Sequence, residues 1–243
     1  MKKVFVVLAV VAAILSLGVL WAWYSLDFIV KVALEHYGPD VTGVAIKVDE
    51  VRLSPRDGLG SLEGVEIGNP TGFSAPRAAR LGLVRVAIDP ATHGDPVTVI
   101  REISVEAPMI FYERGHGNNG TNLDAIQRNI EAYVKRGESA PDAHAAMVGG
   151  TKRKFIIERL AIRGARVTMT NPALRGQGIT FDLPDIQMRD IGKQQNGVTA
   201  SEAGSIVTAT IIARIGQRVL TSVDLLRKGG REGAVDAIKG LLR

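Results

Sequence analysis

Two hydrophobic rhythms divide this chain. From Val4 to Leu26 no charged side chain appears, and at 1.5 Å per helical residue such a stretch spans roughly 34 Å, enough for the hydrocarbon core of a bilayer. After it the pattern becomes one of alternation. In GVAIKVDEVRLSP, Val44, Ile46 and Val48 alternate with Lys47 and Asp49, then the phase slips by one and resumes at Val51 and Leu53. Period two with charged partners predicts a half-buried strand, and the slip predicts a bulge near Glu50. The same signature returns at Val65 and Ile67, Leu81 and Leu83, Val86 and Ile88, and at Ile103, Val105, Ile110 and Tyr112. It appears again at Leu160, Ile162, Val167 and Met169, at Ile179, Phe181 and Leu183, and at Ile186 and Met188. Turn-forming stretches such as SPRDGLG, NPTGF, DPATHGDP and ERGHGNNG separate the runs.

Two stretches carry a helical period instead. Leu123, Ile126, Ile130 and Val134 predict a surface helix over 122–135, with Thr121 or Asn122 as its cap. Ile212, Ile215, Val219, Val223 and Leu226 fall on one stripe of a second helix beginning after Ala200, and a short last helix follows Gly229 and Gly230. The chain also matches itself weakly at a fixed offset. Ile100, Ile103, Val105, Ile110 and Tyr112 superpose on Ile157, Leu160, Ile162, Val167 and Met169, with the small residues Ala107 and Gly164 at the bends. This pattern fits one supersecondary unit used twice.

The predicted fold is therefore α+β and mainly β. A single N-terminal transmembrane helix is followed by a curved, largely antiparallel sheet of eight or nine strands, one inserted helix and C-terminal amphipathic helices. The segments are 1–26 (anchor), 27–135 (first β unit with its helix), 136–153 (small, polar linker), 154–198 (second β unit) and 199–243 (basic amphipathic helices). The candidate apolar face comprises Val44, Ile46, Val48, Val65, Ile67, Val86, Ile88, Ile103, Val105, Ile110, Leu160, Ile162, Val167, Ile179 and Phe181. These aliphatics either line a groove for acyl chains, each buried methylene contributing about 0.8 kcal/mol, or pack on each other and under the helices.

Composition narrows the chemistry. Of 243 residues 46% are hydrophobic, too many for a disordered chain. Met1–Leu26 takes a large share of them. The rest has an ordinary apolar fraction arranged in alternation, contains no tryptophan, and builds its apolar face from Val, Ile and Leu. With no cysteine, disulfides, thiol catalysis and cysteine-ligated metals are excluded. The net charge of +5 falls short of a dedicated nucleic-acid binder. His36, His93, His116 and His144 are dispersed and form no metal or nucleophile motif. Asp182 and Asp185 read more simply as turn and solvent-face residues than as an acid/base pair, and Gly115–Gly120 lacks the context of a phosphate loop. No cofactor, metal or catalytic constellation is predicted.

Charge also sets direction. Lys2 and Lys3 precede the apolar stretch, which places the N-terminus in the cytoplasm and the bulk of the chain outside. Trp21, Trp23 and Tyr24 gather at its outer end, where amphipathic rings favour the membrane interface. Bulky aromatics there oppose signal-peptide cleavage and favour a retained anchor. Arg214, Arg218, Arg227 and Lys228 make the C-terminal region a basic amphipathic element, suited to an anionic membrane surface or a protein partner, or simply to a solvated helix face. The two arginines rule against a second transmembrane segment.

In order along the chain, an anchor, the strand pair ending in LEGVEIGNPTGF, the segment VIREISVEAPMIFYER and the Asn-rich turn opening a helix in GNNGTNLDAIQRNI resemble the N-terminal portion of bacterial AsmA-like proteins. The resemblance covers roughly Met1–Val134 and resumes as strand pattern over Phe155–Ile191. It implies a single-pass inner-membrane protein with a periplasmic β-groove of the bridge-like lipid-transfer type, acting in outer-membrane lipid homeostasis and cell-envelope biogenesis. The implied partners are the phospholipid bilayer, bound lipid, and envelope proteins or further copies of the chain. Family members are several times longer, so this chain fits an adaptor, cap, oligomeric element or accessory subunit of an inner-membrane complex as well as a lipid carrier. A small sandwich module of the LEA type shares the anchor and an Asn-Pro after a strand.

Overall fold

The computed structural model describes residues 26–92, 94–115, 120–136, 153–170 and 178–228, with side chains to Val219. Helix α1 (26–42) is followed by β1 (Ile46–Lys47), β2 (Glu50–Ser54), β3 (Leu59–Ile67), β4 (Ala79–Ile88), β5 (Val97–Glu106) and β6 (Met109–Glu113). Helix α2 (Asn122–Lys135), β7 (Lys154–Arg163), β8 (Arg166–Thr170), β9 (Ile179–Asp182), β10 (Ile186–Ile191) and α3 (Ala200–Lys228) complete it. The predicted span and its Trp21, Trp23 and Tyr24 lie outside the described residues, as do the stretch 137–152 and the last predicted helix. No helix among the described residues is long and apolar enough to cross a membrane.

The ten strands form one mixed sheet, so both β units expected from the sequence belong to a single layer. The sequence reading expected eight or nine separate strands; the registers instead reduce ten short ones to six passes. β1 and β2 both pair antiparallel with β3, and β5 and β6 both pair antiparallel with β4. β7 and β8 lie parallel to β5 and β6, while β10 and β9 close the far side antiparallel to β7 and β8. Each pair of collinear strands is one pass broken in the middle. Six passes with five gaps of about 4.8 Å make a sheet only about 24 Å wide, narrower than the roughly 40 Å that separate strands would give.

The internal repeat has a direct structural meaning. Ile100 faces Ile157, Ile103 faces Leu160, Val105 faces Ile162, Ile110 faces Val167 and Tyr112 faces Met169. The repeated segments are thus neighbouring parallel passes, joined through α2 as parallel strands require. Ion pairs on the polar face keep the same 57-residue offset, Arg159 to Glu102 and Arg163 to Glu106.

The breaks in the passes align across the sheet. Val51, Leu62, Val84, Val105, Ile162 and Ile186 are successive cross-strand partners on one side of the line. Ile46, Ile67, Ala79, Ile110, Val167 and Phe181 form the matching row on the other. Along every pass the two rows are five residues apart, which in an unbroken strand would put them on opposite faces. Yet Leu62 and Ile67, Val105 and Ile110, Ile162 and Val167, and Phe181 and Ile186 all join one core. One residue per pass must step out of alternation. Gly64 (φ +62°), Ala107 (φ +48°) and Gly164 (φ +61°) do so in left-handed conformation. The Ala107 and Arg166 amides donate across the line to the Arg163 and Pro108 carbonyls (both 2.8 Å), so the break stays paired.

Helix α1 was not anticipated from alternation. Asp27, Lys31 and Glu35, spaced four apart, fall on one side of it and meet the outer edge of the first pass. The Leu53 amide donates to Asp27 Oδ1 (2.9 Å), Lys31 Nζ donates to the Asp49 carbonyl (3.0 Å), and the Val48 amide donates to Glu35 Oε1 (2.9 Å). The helix therefore closes a sheet edge that would otherwise present unpaired backbone. It runs antiparallel to the pass, starting beside Leu53 and ending near Ile46, against which Gly38 packs closely. The opposite edge is interrupted by Pro184 and by the left-handed Asp190 (φ +55°).

Part of the apolar face of the sheet is covered by α2 and α3. Thr121 caps α2 with a reciprocal capping box to Asp124, and Leu123, Ile126, Ile130 and Tyr133 are its buried stripe. α3 buries Ala203, Ile215 and Val219, and Gln127 Nε2 donates to Ser205 Oγ (3.0 Å) between the two helices. Its start is set by Thr199 and Glu202, which form the same reciprocal pattern.

The slip line makes a test. A Cβ on Gly64 would fall 1.9 Å from Asp49 Oδ2 in a left-handed conformation, whereas one on Gly216 in α3 meets nothing within 4 Å. Gly64→Ala is expected to lose roughly 1–3 kcal/mol of stability and Gly216→Ala to gain about 0.5–1 kcal/mol, read by chemical denaturation. Equal effects at the two positions would contradict the register described.

Candidate functional site

The candidate surface is the apolar face, and its two halves differ. Val105, Ile110, Leu160, Ile162 and Val167, expected as open groove lining, are 9% exposed or less in the core that α2 and α3 complete. The helices carry apolar stripes of their own, and the strands of the last three passes supply the complement. Val44 and Val48 are also buried, at the end of α1 and beneath Glu35. These seven residues are structural.

Beyond that cover the face continues over the first three passes and onto β5 of the fourth, where burial is incomplete. Of the expected lining residues, Ile46, Val65, Ile67, Val86, Ile88 and Ile103 are half-buried here. Leu53, Leu62 and Leu81 share this stretch and complete it: Val65 faces Leu81, and Leu53, Gly60, Val86 and Ile103 form one row. Leu53 and Leu81 were visible in the alternation, whereas Leu62 was hidden by the slip at Gly64. Phe181 is half-buried on the last pass and Ile179 is 39% exposed at its start.

The reverse face is polar. Lys47, Glu66, Arg80, Met109, Arg166 and Asp182 make one row and Arg52, Ser61, Arg85, Ser104, Ala161 and Gln187 another. Arg52 is held by Glu63 and Glu50, whose carboxylates keep its guanidinium more firmly protonated than usual. Small side chains leave a hollow of about 480 Å³ beside the β2–β3 hairpin, bordered by Leu59, Ser61, Arg85 and Ser104.

A second cavity, of about 590 Å³, unites residues that the sequence left apart. Asp182 and Asp185 from the last pass meet Arg214, Gln217 and Arg218 of α3 around Leu183 and Pro184. Asp182 pairs with Arg166, and Asp185 accepts the Gly164 amide, so both carboxylates have partners at the slip line. Arg214 and Arg218 thus border this cavity near the sheet edge; the side chains of Arg227 and Lys228 lie outside the described residues. Among the described residues no three His, Asp or Glu side chains gather to hold a metal.

The two motifs behind the family resemblance meet at the end of the sheet away from the start of α1. Asn122, fully buried at the start of α2, accepts from the Glu113 and Leu123 amides and donates to the Phe111 carbonyl (2.7 Å) and to Asn69 Oδ1 (2.9 Å). The buried Glu113 carboxylate accepts from the Ser74 and Ala75 amides (2.6 and 2.7 Å) and from Asn69 Nδ2 (3.1 Å). Asn69 of NPTGF and Asn122 of NGTNL thus lock the 69–78 loop, β6 and α2 together. Nearby, burial and the Asp124 carboxylate raise the Tyr112 phenol above its ordinary pKa.

No family model and no curated protein matches this chain.

The network yields a prediction. Asn122→Ala leaves the Phe111 carbonyl and the Glu113 amide buried without partners, at about 1–3 kcal/mol for each such group. A loss of roughly 2–4 kcal/mol is expected, against under about 0.5 kcal/mol for Thr180→Ala at an exposed hydroxyl pair. Denaturation midpoints measure both.

Proposed function

We propose that this chain is a non-enzymatic, single-pass protein of the bacterial inner membrane, with its sheet in the periplasm, that holds lipid acyl chains on the half-open part of its apolar face. The reading follows the AsmA-like resemblance, and the observation that carries it is the incomplete cover of one aliphatic face. Under α2 and α3 the face is an ordinary core, but over Leu53, Leu62, Val65, Ile67, Leu81 and Val86 it remains partly open. Branched aliphatics without aromatic rings present an apolar surface to a flexible hydrocarbon chain, and each methylene removed from water contributes about 0.8 kcal/mol.

A second reading, an accessory subunit of a larger inner-membrane complex, is favoured by the sheet edges. α1 closes one edge and Pro184 with Asp190 interrupts the other, so the sheet is built to end rather than to continue into a long bridge. Its width of about 24 Å supports a local carrier or adaptor over a span across the periplasm.

Native mass spectrometry of the full chain, extracted into a lipid-free detergent, tests the first reading. Phospholipid retained on the chain, and lost when Leu62 and Val86 are both replaced by Ser, is the expected outcome. A chain that is empty after gentle extraction but elutes within a defined larger assembly supports the accessory reading and overturns lipid binding.

A further inference from the structure

The clamp between α1 and the first pass fixes which end of the sheet lies nearest the anchor. Because Asp27 Oδ1 receives the Leu53 amide, the first turn of α1 stands beside the β2–β3 hairpin, and the registers bring the end of β4 and the starts of β5 and β7 to the same end. The charge-free stretch of the sequence finishes at Leu26, one residue before this contact. Large apolar side chains are left uncovered here: Phe28 is 66% exposed, Leu59 54% and Leu26 40%. Leu59 is the informative one, because it comes from the hairpin and not from the continuation of the apolar stretch.

The hairpin is also rigid. Ser54 Oγ donates to Asp57 Oδ2, the Asp57 amide to the Ser54 carbonyl (3.1 Å), and the Ile88 amide to the Gly58 carbonyl (2.7 Å). Gly58 (φ +66°) lies so close to the Ile88 carbonyl that a Cβ there would approach it to 2.4 Å. An exposed leucine on a stiff turn, next to an exposed phenylalanine on a helix that leaves the bilayer, is arranged to enter a surface at little entropic cost.

We propose that this end of the sheet docks on the phospholipid bilayer, with Leu59 of the β2–β3 hairpin and Phe28 of α1 entering the interfacial layer. The occupant is the membrane in which the chain is anchored, because the apolar stretch ends at this patch and no other end of the sheet is tethered so closely to it. Docking rests on the anchor assigned under the proposed function. It adds that the sheet is held against the surface by its hairpin end instead of swinging free on its tether.

The absence of cysteine from the chain makes the test direct. Full-length Phe28→Cys, Leu59→Cys and Ile179→Cys variants, each labelled with an environment-sensitive fluorophore, are reconstituted into phospholipid nanodiscs with and without lipid carrying a shallow spin label. Ile179, 39% exposed at the opposite end of the sheet, is the control. Blue-shifted emission and quenching by the spin-labelled lipid at 28 and 59, with water-like and unquenched emission at 179, are expected. Co-elution with the discs but water-like emission at 59 overturns docking and leaves the anchor standing; this is also the result if the patch binds a protein. Elution apart from the discs overturns the anchor and docking together.

Discussion

The structure depends on one constraint: six passes of chain must change phase at the same level without moving their apolar side chains to the other face. A slip in one strand alone would misalign it with both neighbours. Here the slips coincide, so rows five residues apart stay in one core and the backbone remains paired across the line. Glycine at 64 and 164 and alanine at 107 supply the left-handed residues. Asp49 and Asp185 support the line from the side, the first against Gly64 and Arg80 and the second on the Gly164 amide.

From this line the two ends acquire different characters. At the far end Asn69, Glu113 and Asn122 satisfy one another and the backbone around them, turning two short sequence motifs into a single buried lock. At the near end the polar side of α1 satisfies the sheet edge and leaves Phe28 exposed. Between them α2 and α3 cover half of the apolar face. The uncovered half, near α1, is what the proposed lipid-binding role uses.

Much of this architecture was legible in the sequence, because it depends on local alternation. The change of phase between Val48 and Val51 marked the slip in the first pass, and the offset between Ile100–Tyr112 and Ile157–Met169 marked two passes that prove to be parallel neighbours. The inserted helix is α2, and Thr121 is its cap. What could not be read depends on distant contacts. Alternation cannot say whether an aliphatic row is covered, so Leu160 and Val167 stood beside Val65 and Val86 as one lining. Asp27, Lys31 and Glu35 carried the helical spacing of α1, but their role requires the strand edge they meet. Asp182 and Arg214, apart in the chain, come together at one cavity only because α3 meets the middle of the last pass at the sheet edge.

The central claim is that the face is closed under the helices and open to acyl chains beyond them. Its most direct measurement places a photo-crosslinking residue at Leu62, on the half-open stretch, or at Val167, which is fully buried, in the full-length protein within native membranes. Covalent capture of phospholipid from position 62 and none from 167 is expected. Capture from neither position, or equally from both, would contradict it.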